Sequence, residues 1–283
     1  MIALCVLVPA MAQVTVTEEK RQGVECYKVA TPTATYCYDK AGAGFCSMFD
    51  REGNDWLSWK TGGAASGEYR GIPNMGLNKF GHPGYSGAKT ITSDKLGVPL
   101  PKATISSSKD KWSVTWEFLP DFARMTVHGV GEDYWLLYEG TPGGEFSDDD
   151  YGWRCDGTKF LLKDSWGTDL SNTSGVAAGA EFVVFCDSKS HRSLVLLHDD
   201  DKIEDSYYPM KPMTVFGFGR PLRSVKRLMN ATPATLVVAM VEARDFTAIK
   251  PLVDDVWKAA KVPSTAPASR PASRPASSSV KGN

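Results

Sequence analysis

Only four of the 283 residues are histidine, and there is no CxxC pair, so neither a multi-histidine metal centre nor a cysteine–zinc site is expected. A GxSxG elbow, a P-loop, an HExxH helix and an HxE…PCxxC pattern are all absent. Their absence removes the serine-hydrolase, nucleotide-phosphate, zincin and base-deaminase classes. Charge of one sign is lacking too. Thirty-two basic residues against 33 acidic leave a formal net charge of -1, which argues against a nucleic-acid partner. The apolar run at the N-terminus is far too short to span a bilayer as a helix.

That run, MIALCVLVPAMAQ, does look like the end of a secretory signal, with Ala10-Met11-Ala12 as a small-residue cleavage site before Gln13. A positively charged n-region is missing, and a buried first strand is the alternative. The expectation is therefore a signal segment over 1–12 and a secreted, periplasmic or cell-envelope protein. At the other end, VPSTAPASRPASRPASSS repeats PASR in a Pro/Ala/Ser background without aromatics, so residues 262–283 are expected to be a disordered tail. Lys261, Arg270, Arg274 and Lys281 put four positive charges in the last 23 residues, leaving about -5 for the rest. A mildly acidic body suits a neutral sugar better than a nucleic acid, and an anionic polymer would require a local basic cleft.

If Cys5 leaves with the signal, Cys26, Cys37, Cys46, Cys155 and Cys186 remain. Cys26 and Cys37 flank VATPTAT, a hairpin tip. A register that sets Ala30 against Thr33 also sets Cys26 against Cys37 and favours a cross-strand disulfide in an oxidising compartment. Two buried thiols are the competing reading.

Between the ends, alternation dominates. Trp112, Val114, Trp116 and Phe118 alternate with Ser113, Thr115 and Glu117, the period-two pattern of a half-buried strand. Met125 and Val127 alternate with Arg124, Thr126 and His128, and runs 134–139, 181–186, 194–198 and 236–241 continue the pattern. Runs 45–49 and 55–59 flank DREGN as a hairpin. Many short strands punctuated by Gly, Pro, Asn and Asp predict an all-β chain, an antiparallel β-sandwich of the jelly-roll kind. Pro251 opens a predicted short C-terminal helix to Lys261. Its stripe of Leu252, Val253, Val256 and Trp257 would dock on the sandwich edge. No repeat or linker divides residues 13–261, so one domain is expected.

Four segments could carry chemistry. Residues 67–87, GEYRGIPNMGLNKFGHPGYSG, hold six glycines and two prolines together with Glu68, Tyr69, Arg70, Asn74, Lys79, His82 and Tyr85. Ordered loops of that length tend to be functional. Residues 134–158 deliver Trp135, Tyr138 and Glu139 on a strand, then Asp148, Asp149 and Asp150, then Trp153. Aromatic faces stack on pyranose rings, and carboxylates act on the glycosidic oxygen. The three aspartates are expected in an exposed turn. Calcium stays open there because hard cations take oxygen clusters, although the spacing matches no EF-hand, and no other cofactor is expected. Residues 194–210 bring His198 and Asp199 to a strand end ahead of Tyr207 and Tyr208, which would supply a base, an orienting group and an acid. The plainer alternative there is a backbone-bonded histidine with solvated aspartates. Residues 213–220, MTVFGFGR, read as a core strand with a bulge, and Arg220 could pair with a carboxylate of substrate or protein.

GEYRGIPN, YWLLYEGTPGG and DSYYPMKPMTVFGFGR together resemble a group of secreted bacterial β-sandwich proteins from polysaccharide-degrading organisms, over residues 40–245. The wider class they resemble is the β-sandwich polysaccharide lyases and their sugar-binding relatives. The YxKAG and Q-I/V-H strand motifs of alginate-lyase jelly rolls are absent, so no catalytic residue carries over. The resemblance implies a secreted carbohydrate-active protein whose partner is a polysaccharide or oligosaccharide.

Lyase action on a uronate-containing glycan, by proton abstraction and β-elimination, is the leading expectation. It needs a cation or amide to neutralise the uronate, a base, and a phenol for the leaving oxygen. Arg70 and Asn74 would neutralise, His82 or His198 would take the proton, and Tyr85, Tyr138 or Tyr208 would return one. Tyr69, Trp135 and Trp153 complete the substrate-binding set. The alternatives are a glycoside hydrolase using Glu139 and Asp199, or a non-catalytic polysaccharide-binding protein stacking sugars on Trp135, Trp153 and Tyr85. The lyase expectation carries a geometric requirement, that Arg70, His82 and Tyr85 line one sugar-sized groove.

Overall fold

A computed structural model describes residues 13–61, 70–76, 80–170, 180–199, 201, 203–210, 213–220 and 228–262. The expected signal segment, the tail beyond Val262, and Glu68, Tyr69 and Lys79 lie outside the described residues. The chain is all-β as expected, with antiparallel pairing throughout the described sheets and one short C-terminal helix.

An N-terminal four-stranded sheet pairs β1 (Thr15–Arg21), β2 (Val24–Ala30), β3 (Thr35–Asp39) and β4 (Gly44–Phe49) in chain order. A nine-stranded sheet is built from β5 (Lys89–Ile91), β6 (Ala103–Lys109), β7 (Trp112–Phe118), β8 (Phe122–Gly129), β10 (Tyr151–Arg154), β11 (Lys159–Leu161), β13 (Ala180–Cys186), β14 (Ser193–Asp199) and β17 (Ala234–Val241). Its order is β11-β10-β13-β14-β17-β8-β7-β6-β5. The third sheet, of four strands, runs β12 (Gly167–Leu170), β15 (Asp205–Met210), β16 (Met213–Phe218) and β9 (Leu136–Gly140).

The two small sheets share one apolar core with the inner face of the large one. Tyr36, Tyr38 and Phe45 meet Trp116 and Phe118 there, and Tyr138, Tyr207 and Phe216 meet Phe185. Alternation then sends Phe182, Val184, Val195, Leu197, Val237 and Ala239 to the opposite face, where Ile249, Val253, Trp257 and Ala260 of helix α1 (Phe246–Ala260) cover them. Burial on both faces explains why β13 and β17 are almost continuously apolar.

Two expectations are corrected here. The helix begins five residues before Pro251 and lies on the outer face of the large sheet rather than at an edge. Ile249 and Phe246 pack against that face, so the turn preceding the proline is held by burial. The β2–β3 turn is also two residues longer than the sequence suggests. Thr31 N donates to the Ala34 carbonyl, and Thr31 Oγ1 accepts from the amides of Thr33 and Ala34, so Ala30 faces Thr35. Cys26 consequently opposes Asp39 and Cys37 opposes Lys28. No Cys26–Cys37 disulfide forms, and all five described cysteines are buried thiols. Cys26 Sγ instead lies 3.6 Å from Cys46 Sγ, in a small cluster with Cys37 and Trp59.

Candidate functional site

Strand period dictates where Glu139 points. On β9 the side chains of Leu136 and Tyr138 enter the core, so Glu139 takes the other face of the third sheet. In register it stands beside Val215 of β16, which stands beside Tyr208 of β15. Three strands therefore carry Glu139, Val215 and Tyr208 across one face.

Residues 71–74 close the free side of β9. Gly71 N donates to the Glu139 carbonyl at 2.7 Å, Glu139 N returns a bond to Gly71 at 3.1 Å, and Leu137 N donates to the Pro73 carbonyl at 2.7 Å. Asn74 then sits at φ 42°, a left-handed conformation that asparagine tolerates better than most residues. Its Nδ2 reaches Glu139 Oε2 at 2.5 Å, while its carbonyl accepts from Trp135 Nε1 at 2.8 Å. Arg220 arrives from the end of β16, its guanidinium 5.1 Å from the Tyr208 ring centre and 5.6 Å from that of Trp135. Gly217 makes room for it, because a Cβ there would stand 2.7 Å from Arg220 Cβ and 2.5 Å from Leu137 Cδ2.

Glu139 is only 7% exposed. Burial pushes its carboxyl up to about 7, overriding the opposing pull of Arg220 and then of the Asn74 hydrogen bond. Such a group exchanges a proton near neutrality, the property a general acid or base needs. His82 is shifted the other way. Burial lowers it to about 4, against a hydrogen bond with the Gly76 backbone, so its imidazole is neutral. It meets the ring of Tyr85 edge-on at 5.4 Å.

The sequence-nominated residues thus divide. Glu139, Asn74, Trp135 and Tyr208 converge, and Arg220 joins them. Arg70 is buried and donates to the Ser58 carbonyl at 2.7 Å, whereas Tyr85 is half-exposed, so Arg70, His82 and Tyr85 do not line a groove together. Tyr138 points into the core and donates to the Trp56 carbonyl. Trp153 binds the Arg244 carbonyl and packs against Phe246 of α1, remote in the fold from Trp135. Asp148 and Asp149 are exposed as expected. Asp150 is not, being buried and accepting from Ser147 N and from both the amide and hydroxyl of Ser188.

His198 and Asp199 belong to the large sheet, on opposite faces of β14. Asp199 accepts from Thr235 N and pairs with Lys261. It is therefore tied into a separate cluster and is not brought to Glu139 as a hydrolase pair. His198 turns inward, opposite Glu181 of β13, and stacks on Phe218. Glu181, His198 and Asp201 form the one group of three or more His, Cys, Asp or Glu ligands found among the described residues, with donor atoms within 4.8 Å of one another. Sequence reasoning missed Glu181 and Asp201. The available signal was a glutamate opening an otherwise apolar strand next to a histidine closing the following one.

No family model matches the chain, and no curated protein matches it. Among solved structures, HI1317 is 10% identical over 84% of this chain and 98% of that one, with a TM-score of 0.49. A candidate mutarotase, YeaD from Salmonella typhimurium, is 10% identical over 81% and 94%, with a TM-score of 0.47. YidC from Thermotoga maritima is 10% identical over 87% and 57%, with a TM-score of 0.42. At these identities and scores none of the likenesses carries an argument. Among the described residues no helix is long and apolar enough to cross a membrane.

Proposed function

We propose that this is a carbohydrate-active protein that takes an acidic sugar at the Glu139 face, with Glu139 moving the proton of a β-elimination. The observation that supports this is a buried carboxyl held near pH 7 beside an amide, a guanidinium and two aromatic rings. Trp135 and Tyr208 offer ring faces to the sugar, Arg220 pairs with its carboxylate, Glu139 takes the proton next to that carboxylate, and the Tyr208 phenol protonates the leaving oxygen. Relative to the sequence expectation, the neutralising cation passes from Arg70 to Arg220 and the base from histidine to Glu139.

The test is incubation with a panel of polyuronates, reading unsaturated ends in the near ultraviolet and retention in affinity electrophoresis. Product should form with at least one uronan. Glu139→Gln should abolish turnover but keep retention, and Arg220→Ala should lose retention. Failure of every uronan to be retained or cleaved would overturn the proposal. The slight exposure of Glu139 favours a second reading, a binding protein without turnover, and retention without product would select it.

A further inference from the structure

We propose that Glu181, His198 and Asp201 form a binding site for a divalent first-row transition cation at the wall of a cavity apart from the Glu139 face. The three side chains come from two paired strands and from a position just past the end of the second. Glu181 and His198 are directly opposed on β13 and β14, and Asp201 follows His198 by three residues. His198 Nδ1 is 3.2 Å from Glu181 Oε1 and 3.9 Å from Asp201 Oδ2. Metal bonds of about 2.1 Å to each donor place neighbouring donors roughly 3.0–3.4 Å apart, so the first distance already fits and the second needs a small inward movement of Asp201. Asp201 lies beyond the end of β14 with its side chain 19% exposed, Oδ1 accepting from Ile203 N at 2.8 Å and Oδ2 turned toward His198.

A second observation points to a ligand. His198 is 2% exposed and turns Nδ1, rather than Nε2, toward both carboxylates. His198 and Asp201 also line a cavity of about 490 Å³, together with Tyr134, Asn230, Thr235 and Lys261. That cavity gives a bound cation a way in and room for exchangeable ligands.

The donor set selects the metal. One imidazole with two carboxylates suits zinc, manganese(II) or iron(II), whereas calcium and magnesium prefer shells made wholly of oxygen. The buried thiols of Cys26 and Cys46 are on another sheet, so a metal bound there would have sulfur ligands and is spectroscopically distinct.

The experiment uses the full chain, stripped with chelator and dialysed separately against zinc, manganese(II), cobalt(II) and calcium. Zinc or manganese should bind at one equivalent and raise the unfolding temperature, and the cobalt form should show no thiolate charge-transfer band. Glu181→Gln and Asp201→Asn should each weaken binding at least tenfold with near-ultraviolet circular dichroism unchanged. Wild-type protein that takes up none of the transition cations, that prefers calcium, or that gives a thiolate spectrum would overturn the assignment. Uptake unchanged in Asp201→Asn, the substitution in the more exposed ligand, would do the same. All these readouts concern the metal alone, so they are separate from turnover or sugar retention at Glu139.

Discussion

Asn74 Nδ2 donates to Glu139 Oε2 at 2.5 Å across 65 residues of chain, and both side chains are buried. The bond joins a glycine-rich loop to a strand end and leaves the carboxyl near pH 7 despite its favourable geometry. Glu139 and His82 are shifted in opposite directions, and this gives the stability profile a definite form. Glu139 rises from 4.5 to about 7 on folding, so between those values the folded state holds the extra proton and stability falls as pH rises. His82 drops from 6.5 to about 4, so between those values the unfolded state holds the extra proton and stability rises with pH. Their contributions cancel between pH 4.5 and 6.5.

Glu139→Gln should unmask the His82 slope, with stability climbing by about 1.4 kcal/mol per pH unit through that window. His82→Gln should unmask the opposite slope of similar size. Urea midpoints measured from pH 4 to 7.5 check both. Two variants that keep the wild-type profile would mean that burial shifts neither group.

Gly217→Ala should cost about 1–3 kcal/mol, because the new methyl enters space held by Leu137 and Arg220. Since Arg220 must swing off the sheet face to admit it, acidic-sugar retention should fall as well. Retention equal to wild type would detach Arg220 from the proposed site.

Tyr208→Ala and Trp135→Ala should each weaken sugar retention roughly tenfold by removing a ring face. Tyr138→Phe makes the contrast. Its hydroxyl bonds the Trp56 carbonyl on the opposite face, so about 1 kcal/mol of stability should go while retention stays. Titration calorimetry with an oligouronate separates the two effects, and equal losses in all three variants would argue for general unfolding instead.

Trp257→Ala should destabilise the chain by about 3–5 kcal/mol, since Trp257 anchors α1 on the outer face of the large sheet. Retention at the Glu139 face, which belongs to the third sheet, should survive below the unfolding temperature. Differential scanning calorimetry and affinity electrophoresis on one preparation test both statements.

Strand pattern was legible wherever burial has period two. Trp112, Val114, Trp116 and Phe118 enter the core on alternate positions as their sequence implies. The helix start was not legible, because Pro251 is a strong local signal and the packing of Phe246 against Trp153 is a long-range one. The cysteine register failed for a related reason. Thr31 decides it by bonding two amides of its own turn, a choice that spacing cannot encode. At the site, Glu139, Asn74, Trp135 and Tyr208 were nominated from residue type, and sheet pairing brings them together. Arg70 and Tyr138 were nominated on the same grounds. They fall away only when the Ser58 carbonyl and the strand alternation are seen.

The pairing of residues 71–74 with β9 has one more consequence. β9 is the last strand of its sheet, and an open strand edge is a template for pairing with another chain. The segment that supplies Asn74 to Glu139 also caps that edge, so the proposed sugar site and the cover of an open strand would share a few residues. A substitution that frees this stretch to admit a larger glycan would also uncover backbone donors and acceptors along β9. Attempts to broaden specificity here should therefore meet self-association before they meet loss of fold.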